Sequence, residues 1–146
     1  MPVRKYLEKL YKVPGIKDSF DSIALHPYSS SADGSQQALK VAEAVVKKTD
    51  PKVGMWITEI GWASGGPKDE PFNKGKAGQA KTLKAAFKGF DKTKNKYRLR
   101  GVFWYSWRDK PGGDQICTWC GYAGLRAKNG TAKPSWNAFV KVAKSS

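Results

Sequence analysis

The chain has 146 residues, enough for one domain with a core, and its 40% hydrophobic content argues against wholesale disorder. Lys plus Arg total 27 against 12 Asp plus Glu, so the net charge is +15; this attracts polyanions, but no RNA-binding motif accompanies it, and specific nucleic-acid binding is not expected. No apolar run approaches the ~20 residues that span a bilayer, and the charged start Met1–Tyr6 lacks the apolar stretch of a signal peptide, so any export signal is expected outside this chain.

In chain order, Val3, Leu7, Leu10 and Tyr11 recur at helical spacing, predicting a short helix over 3–13. Phe20 to Tyr28 is a compact apolar run that reads as a buried strand. A polar loop over 29–34 leads into a helix with Ala38, Ala42, Val45 and Val46 on its inner face, stopped by Asp50-Pro51. Val53 to Ile60 is the second strand, and 61–74 a Gly- and Pro-rich loop. Ala77, Ala80, Leu83, Phe87 and Phe90 mark an amphipathic helix. Leu99 to Trp107 is the third strand, 108–132 a second long loop, and 134–143 a closing helix with Pro at its start. Lysines such as Lys40, Lys47, Lys84 and Lys88 read as solvated outer faces.

The order α-β-α-β-α-β-α predicts a parallel sheet with right-handed crossovers, one unit over residues 1–146. Both long loops follow strands, and in such folds the functional site lies at the carboxyl ends of the strands. Those ends carry His26 and Tyr28, then Thr58, Glu59 and Trp62, then Trp104 to Asp109. Glu59 ends an otherwise apolar strand. A carboxylate there is either a nucleophile or general acid held by hydrogen bonds, or a side chain that has left the strand for water. Cys117 and Cys120 form a lone C-x-x-C in a loop, either a local disulfide or two free thiols. With His26 the only histidine, a metal site is not indicated.

Three strings carry a resemblance: Phe20-Asp21-Ser22-Ile23-Ala24-Leu25-His26-Pro27-Tyr28, Trp56-Ile57-Thr58-Glu59-Ile60-Gly61-Trp62, and Val102-Phe103-Trp104-Tyr105-Ser106-Trp107-Arg108-Asp109. In order they are similar to strands six, seven and eight of clan-A glycoside hydrolases, the retaining (β/α)8-barrel (TIM-barrel) glycosidases. Cys117 to Leu125 with Lys133 to Trp136 resembles the last loop and helix of bacterial members. The resemblance implies the C-terminal part of such a barrel, three β/α units plus a leading helix, acting on O-glycosidic bonds of a poly- or oligosaccharide without a cofactor. It implies Glu59 as nucleophile, Tyr28 as its hydrogen-bond donor, His26 lining the sugar subsite and Trp104 as the subsite floor, since C–H faces of sugars pack on indole rings. Trp107 is a second substrate contact, although one of Trp104 and Trp107 is expected in the core. Trp62 and Trp119 lie in loops that would widen the groove; Trp56 and Trp136 are assigned to packing.

In that family the acid/base is a Glu following an Asn at the end of strand four. No Asn-Glu pair occurs here, and nothing matches strands one to five. Three strands do not close a barrel, so the chain is expected to be an incomplete piece that needs the missing barrel half or self-association. Asp69, Glu70, Asp109 and Asp114 are loop carboxylates that could substitute. An extracellular location is implied by the family and the cysteine pair. The other readings are a carbohydrate-binding fragment without catalysis, and a basic domain adhering to acidic polymers.

Overall fold

The computed structural model describes residues 2–110 and 117–145; Asp114 lies outside them. A leading helix α1 (Val3–Leu10) precedes β1 (Ser22–Leu25), α2 (Ala32–Thr49), β2 (Gly54–Ile60), α3 (Gly75–Tyr97), β3 (Leu99–Trp104) and α4 (Pro134–Ala143). The three strands form one parallel sheet in the order β1-β2-β3, with α2 and α3 as the crossovers. This is the three-unit slice of a (β/α)8 barrel that the sequence predicts.

Local chemistry sets the boundaries. Ser31 caps α2, its hydroxyl accepting from Gly34 N at 3.1 Å. The helix stops at Thr49, before Asp50-Pro51. Leu39, Ala42, Val45 and Val46 are its buried face. Helix α3 runs past the predicted periodic stretch to Tyr97, where Arg98 adopts the left-handed conformation (φ 50°) and ends it. Pro134 opens α4, where a missing N–H costs nothing.

Side chains alternate across the strands. Met55 and Ile57 of β2 are fully buried beneath the helices with Leu39, Val46, Ala86 and Phe90. Trp56 and Phe103 meet at 6.2 Å, and Phe103 is 54% exposed, so the face without helices is open. Trp56 lies over Gly101: a Cβ there would sit 2.6 Å from the indole, so only glycine admits the ring.

All three strands are shorter than expected, the second by Val53 alone. The first covers Ser22–Leu25 rather than 20–28, because Pro27 has no N–H to continue the ladder. The third ends at Trp104 rather than Trp107, because Ser106 turns to the following loop, its N–H donating to Ala123 O at 3.3 Å and its carbonyl accepting from Leu125 N at 3.0 Å.

Candidate active site

The carboxyl ends of β1 and β2 bring His26, Tyr28, Thr58 and Glu59 together. Tyr28 Oη donates to Glu59 Oε2 at 3.0 Å. His26 Nδ1 lies 3.5 Å from the same oxygen, and its Nε2 is 3.0 Å from Thr58 Oγ1. Both neighbours gather on Oε2, and Oε1 has no partner among the described residues. The Glu59 side chain is 40% exposed, so it is reachable from outside while remaining tethered. Burial, reinforced by the hydrogen bond to Glu59 and the charge of that carboxylate, holds the Tyr28 hydroxyl well above the usual tyrosine range. It therefore stays a proton donor and keeps the carboxylate oriented.

Around this pair stands a ring of aromatics. Tyr28 contacts Trp119 (5.3 Å) and Phe72 (6.3 Å) edge to face, and Tyr105 contacts Trp119 at 6.2 Å. Trp119 stacks on Phe72 at 4.7 Å with the rings 12° apart. The expectation that Trp119 belongs to the groove thus acquires two companions, Phe72 and Tyr105. The sequence offered no periodic signal for Phe72, which lies in a Gly- and Pro-rich loop. Tyr105 is the position one residue past β3 that faces the site.

One of Trp104 and Trp107 packs in the core as expected, namely Trp104, while the individual roles assigned to Trp62, Trp104 and Trp107 differ from their placement. Trp62 does not widen the groove: it is fully buried, and its indole N–H donates to Ser29 O at 2.8 Å. The reason is the preceding glycine, since a Cβ on Gly61 would lie 2.1 Å from Tyr105 O, and without it the chain closes on the third strand. Trp104 does not form the subsite floor. Its ring lies on the helix-covered side, near Trp62 (6.0 Å) and Phe87 (6.5 Å), and its N–H donates to Ala123 O at 3.0 Å. Trp107 is 59% exposed, but its ring contacts are with Trp136 (5.1 Å) and the Arg126 guanidinium (5.3 Å), beside α4 rather than beside Glu59. Trp56 and Trp136 pack, Trp56 on the open sheet face and Trp136 against α3 and α4.

Two of the candidate substitute acids, Asp109 and Glu70, are engaged elsewhere. Asp109 is buried; its Oδ1 accepts from Lys133 Nζ at 2.8 Å and from Gly124 N at 2.9 Å. Lys133 also donates to Ser64 Oγ (2.8 Å) and Tyr122 O (3.2 Å), tying the loop after β2 to the loop after β3. Gln79 of α3 adds bonds to Trp62 O (2.8 Å) and Ala123 O (3.2 Å). Glu70 accepts from Phe72 N through Oε1 and from Thr118 Oγ1 through Oε2. Asp69 is exposed. Cys117 and Cys120 are joined as a disulfide, with Trp119 inside the closed loop. Among the described residues no group of three or more His, Cys, Asp or Glu could hold a metal ion.

A parallel sheet with crossover helices, its polar groups at the carboxyl edge, is a piece of the barrel on which many glycosidases are built. Solved structures agree. The chain is similar to a family 39 glycoside hydrolase from the gut symbiont Bacteroides cellulosilyticus WH2 (TM-score 0.70, 22% identity, 97% of this chain and 30% of that one). It also matches the catalytic core of a xylanase A (TM-score 0.66, 15% identity, 96% and 45%). A third is a GH5_18 variant from Streptomyces cattleya in complex with Manβ1-4GlcNAc (TM-score 0.63, 16% identity, 83% and 30%). The chain spans less than half the length of each and matches a C-terminal portion of the barrel glycosidases of clan A. No family model and no curated protein matches it.

Proposed function

We propose that the chain carries the nucleophile half of a retaining β-glycosidase site, with Glu59 as nucleophile. The observation that supports it is the Tyr28 hydroxyl at 3.0 Å from Glu59 Oε2, which leaves Oε1 free to attack. In this mechanism Oε1 attacks the anomeric carbon, the aglycone oxygen leaves with a proton, and a covalent glycosyl ester forms; water then cleaves the ester. The second carboxylate, ~5–5.5 Å from the first, donates the first proton and later activates the water. In this reading it lies on the missing part of the barrel; within this chain Asp109 and Glu70 are held by other partners, and Asp69 is exposed on its loop. His26 lines the sugar side, and the substrate is a poly- or oligosaccharide. The disulfide fits an extracellular setting.

The partner of the site is the rest of the barrel. Strands β1 and β3 are both open edges. A groove of about 600 Å³ between α1 and the end of β1 is lined by Val3, Tyr6, Leu25 and Tyr28, and one of about 360 Å³ outside β3 by Phe87, Leu99, Val102 and Phe139. Five further β/α units would cover both and the exposed Phe103. A second copy fits less well, because twice three strands falls short of the eight a barrel closes with.

The test uses the purified chain and a set of dinitrophenyl β-glycosides (xyloside, glucoside, mannoside). Such leaving groups need little acid assistance, so the first step proceeds without the missing carboxylate. Release of about one equivalent of dinitrophenolate per chain is expected with at least one of the sugars, followed by a far slower phase. No release with any of them, or full turnover of an unactivated glycan, contradicts the reading.

A further inference from the structure

Trp119 sits where three aromatic side chains from three parts of the chain converge. Phe72 from the loop after β2 stacks on it, Tyr28 meets it at 68° and Tyr105 at 74°. The described residues around it are held by several contacts. The disulfide brackets it at positions 117 and 120. Thr118 Oγ1 donates to Glu70 Oε2 at 2.8 Å, while Glu70 Oε1 accepts from Phe72 N at 3.2 Å, so one carboxylate ties Phe72 to Thr118, the residue before Trp119. On the far side Tyr122 O accepts from Ser64 N (3.0 Å), Ser64 Oγ (3.2 Å) and Lys133 Nζ (3.2 Å).

This apparatus is more than a stretch of surface loop needs, and it ends on Tyr28. The Tyr28 ring is flanked by Phe72 and Trp119, with His26 at 6.2 Å as its third ring neighbour. A tyrosine ring turns about two side-chain bonds, so its hydroxyl goes where its flanking groups allow. We propose that Trp119 is a positioning residue: it wedges the Tyr28 ring so that the hydroxyl meets Glu59, and the Glu70 clasp and the Cys117–Cys120 disulfide hold it in place. The functional meaning of this wedge rests on Glu59 being the nucleophile; the geometry does not. Reduction of the disulfide, or loss of the clasp, then loosens the Tyr28–Glu59 hydrogen bond without touching either residue.

The readout is the ionisation of Tyr28, followed by NMR of chains labelled at the tyrosine ring carbon bearing oxygen, with Tyr28→Phe to assign the signal. The ionisable groups that face Tyr28 are His26, Glu59 and Tyr105. In the unaltered chain the Tyr28 signal resists titration beyond the ordinary tyrosine midpoint of about 10. In Trp119→Ala, and in the paired Cys117→Ser and Cys120→Ser variant, the midpoint falls back toward 10 by at least about one pH unit as burial and hydrogen bond are lost. Trp119→Phe keeps most of the resistance. A midpoint unmoved in the cysteine variant and in Trp119→Ala, with folded spectra, overturns the proposal; should Trp119→Ala not fold, the cysteine variant and chemical reduction decide alone. None of these arms uses glycoside cleavage, so failure of the Glu59 reading shows separately, in the dinitrophenolate release.

Discussion

Glu59→Gln in the completed barrel is expected to lower kcat by roughly 10⁴-fold or more and to leave saccharide affinity within a few-fold. The amide keeps the size of the carboxylate and an oxygen that accepts from Tyr28, so the pocket is preserved. What it lacks is a charged oxygen able to form the glycosyl ester. Kinetics on an aryl glycoside together with calorimetric binding of an oligosaccharide separate the two effects. A variant retaining a tenth of the activity would show that Glu59 is not the nucleophile. Equal loss of binding and rate would place it in ground-state recognition instead.

Asp109→Ala is expected to lower unfolding stability by about 3 kcal/mol, the cost of leaving a buried cation without its counter-charge. Lys133 is only 4% exposed, and it keeps Ser64 Oγ and Tyr122 O as acceptors, which holds the loss near the lower end of the range for broken buried pairs. Burial pushes the Lys133 ammonium below its usual range even though Asp109 favours the charged form, so desolvation outweighs the pairing here. The double change Asp109→Leu with Lys133→Met is accordingly expected to cost much less than Asp109→Ala alone. Urea unfolding of the three proteins measures this; equal losses in the single and double variants would mean that the pair carries no uncompensated charge.

The order of elements was legible because each is punctuated chemically. Pro51 and the glycines of 61–74 separate hydrophobic runs whose period switches between strand and helix. Strand ends were less legible. The resemblance assigned the sugar side to Trp104, and an error of one residue in matching such strings exchanges the faces. Trp104 therefore falls among the helices and Tyr105 beside Trp119. The sequence places Trp62 in the groove because it lies in the loop after the second strand. Gly61 permits the close approach to Tyr105 O and so the burial of Trp62. The contacts that fix the loops were beyond any pattern. Lys133 and Asp109 lie 24 residues apart, Thr118 and Glu70 lie 48, and neither pair has a periodic signature. The local motifs told more: Tyr28 and Glu59, 31 residues apart, were paired through the resemblance of two short strings, and the structure sets them at 3.0 Å.

A glycosyl ester caught on Glu59 is the direct test of the account. The chain is incubated with a 2-deoxy-2-fluoro glycoside bearing a dinitrophenyl leaving group; the fluorine slows both formation and hydrolysis of the ester, and the good leaving group restores formation alone, so the ester accumulates. Intact mass is then measured and the protein is digested for peptide mapping. The account predicts an increase of one fluoroglycosyl unit per chain, carried by the peptide containing Glu59 and absent from Glu59→Gln. A label on any other carboxylate, or an equal label on Glu59→Gln, would contradict it.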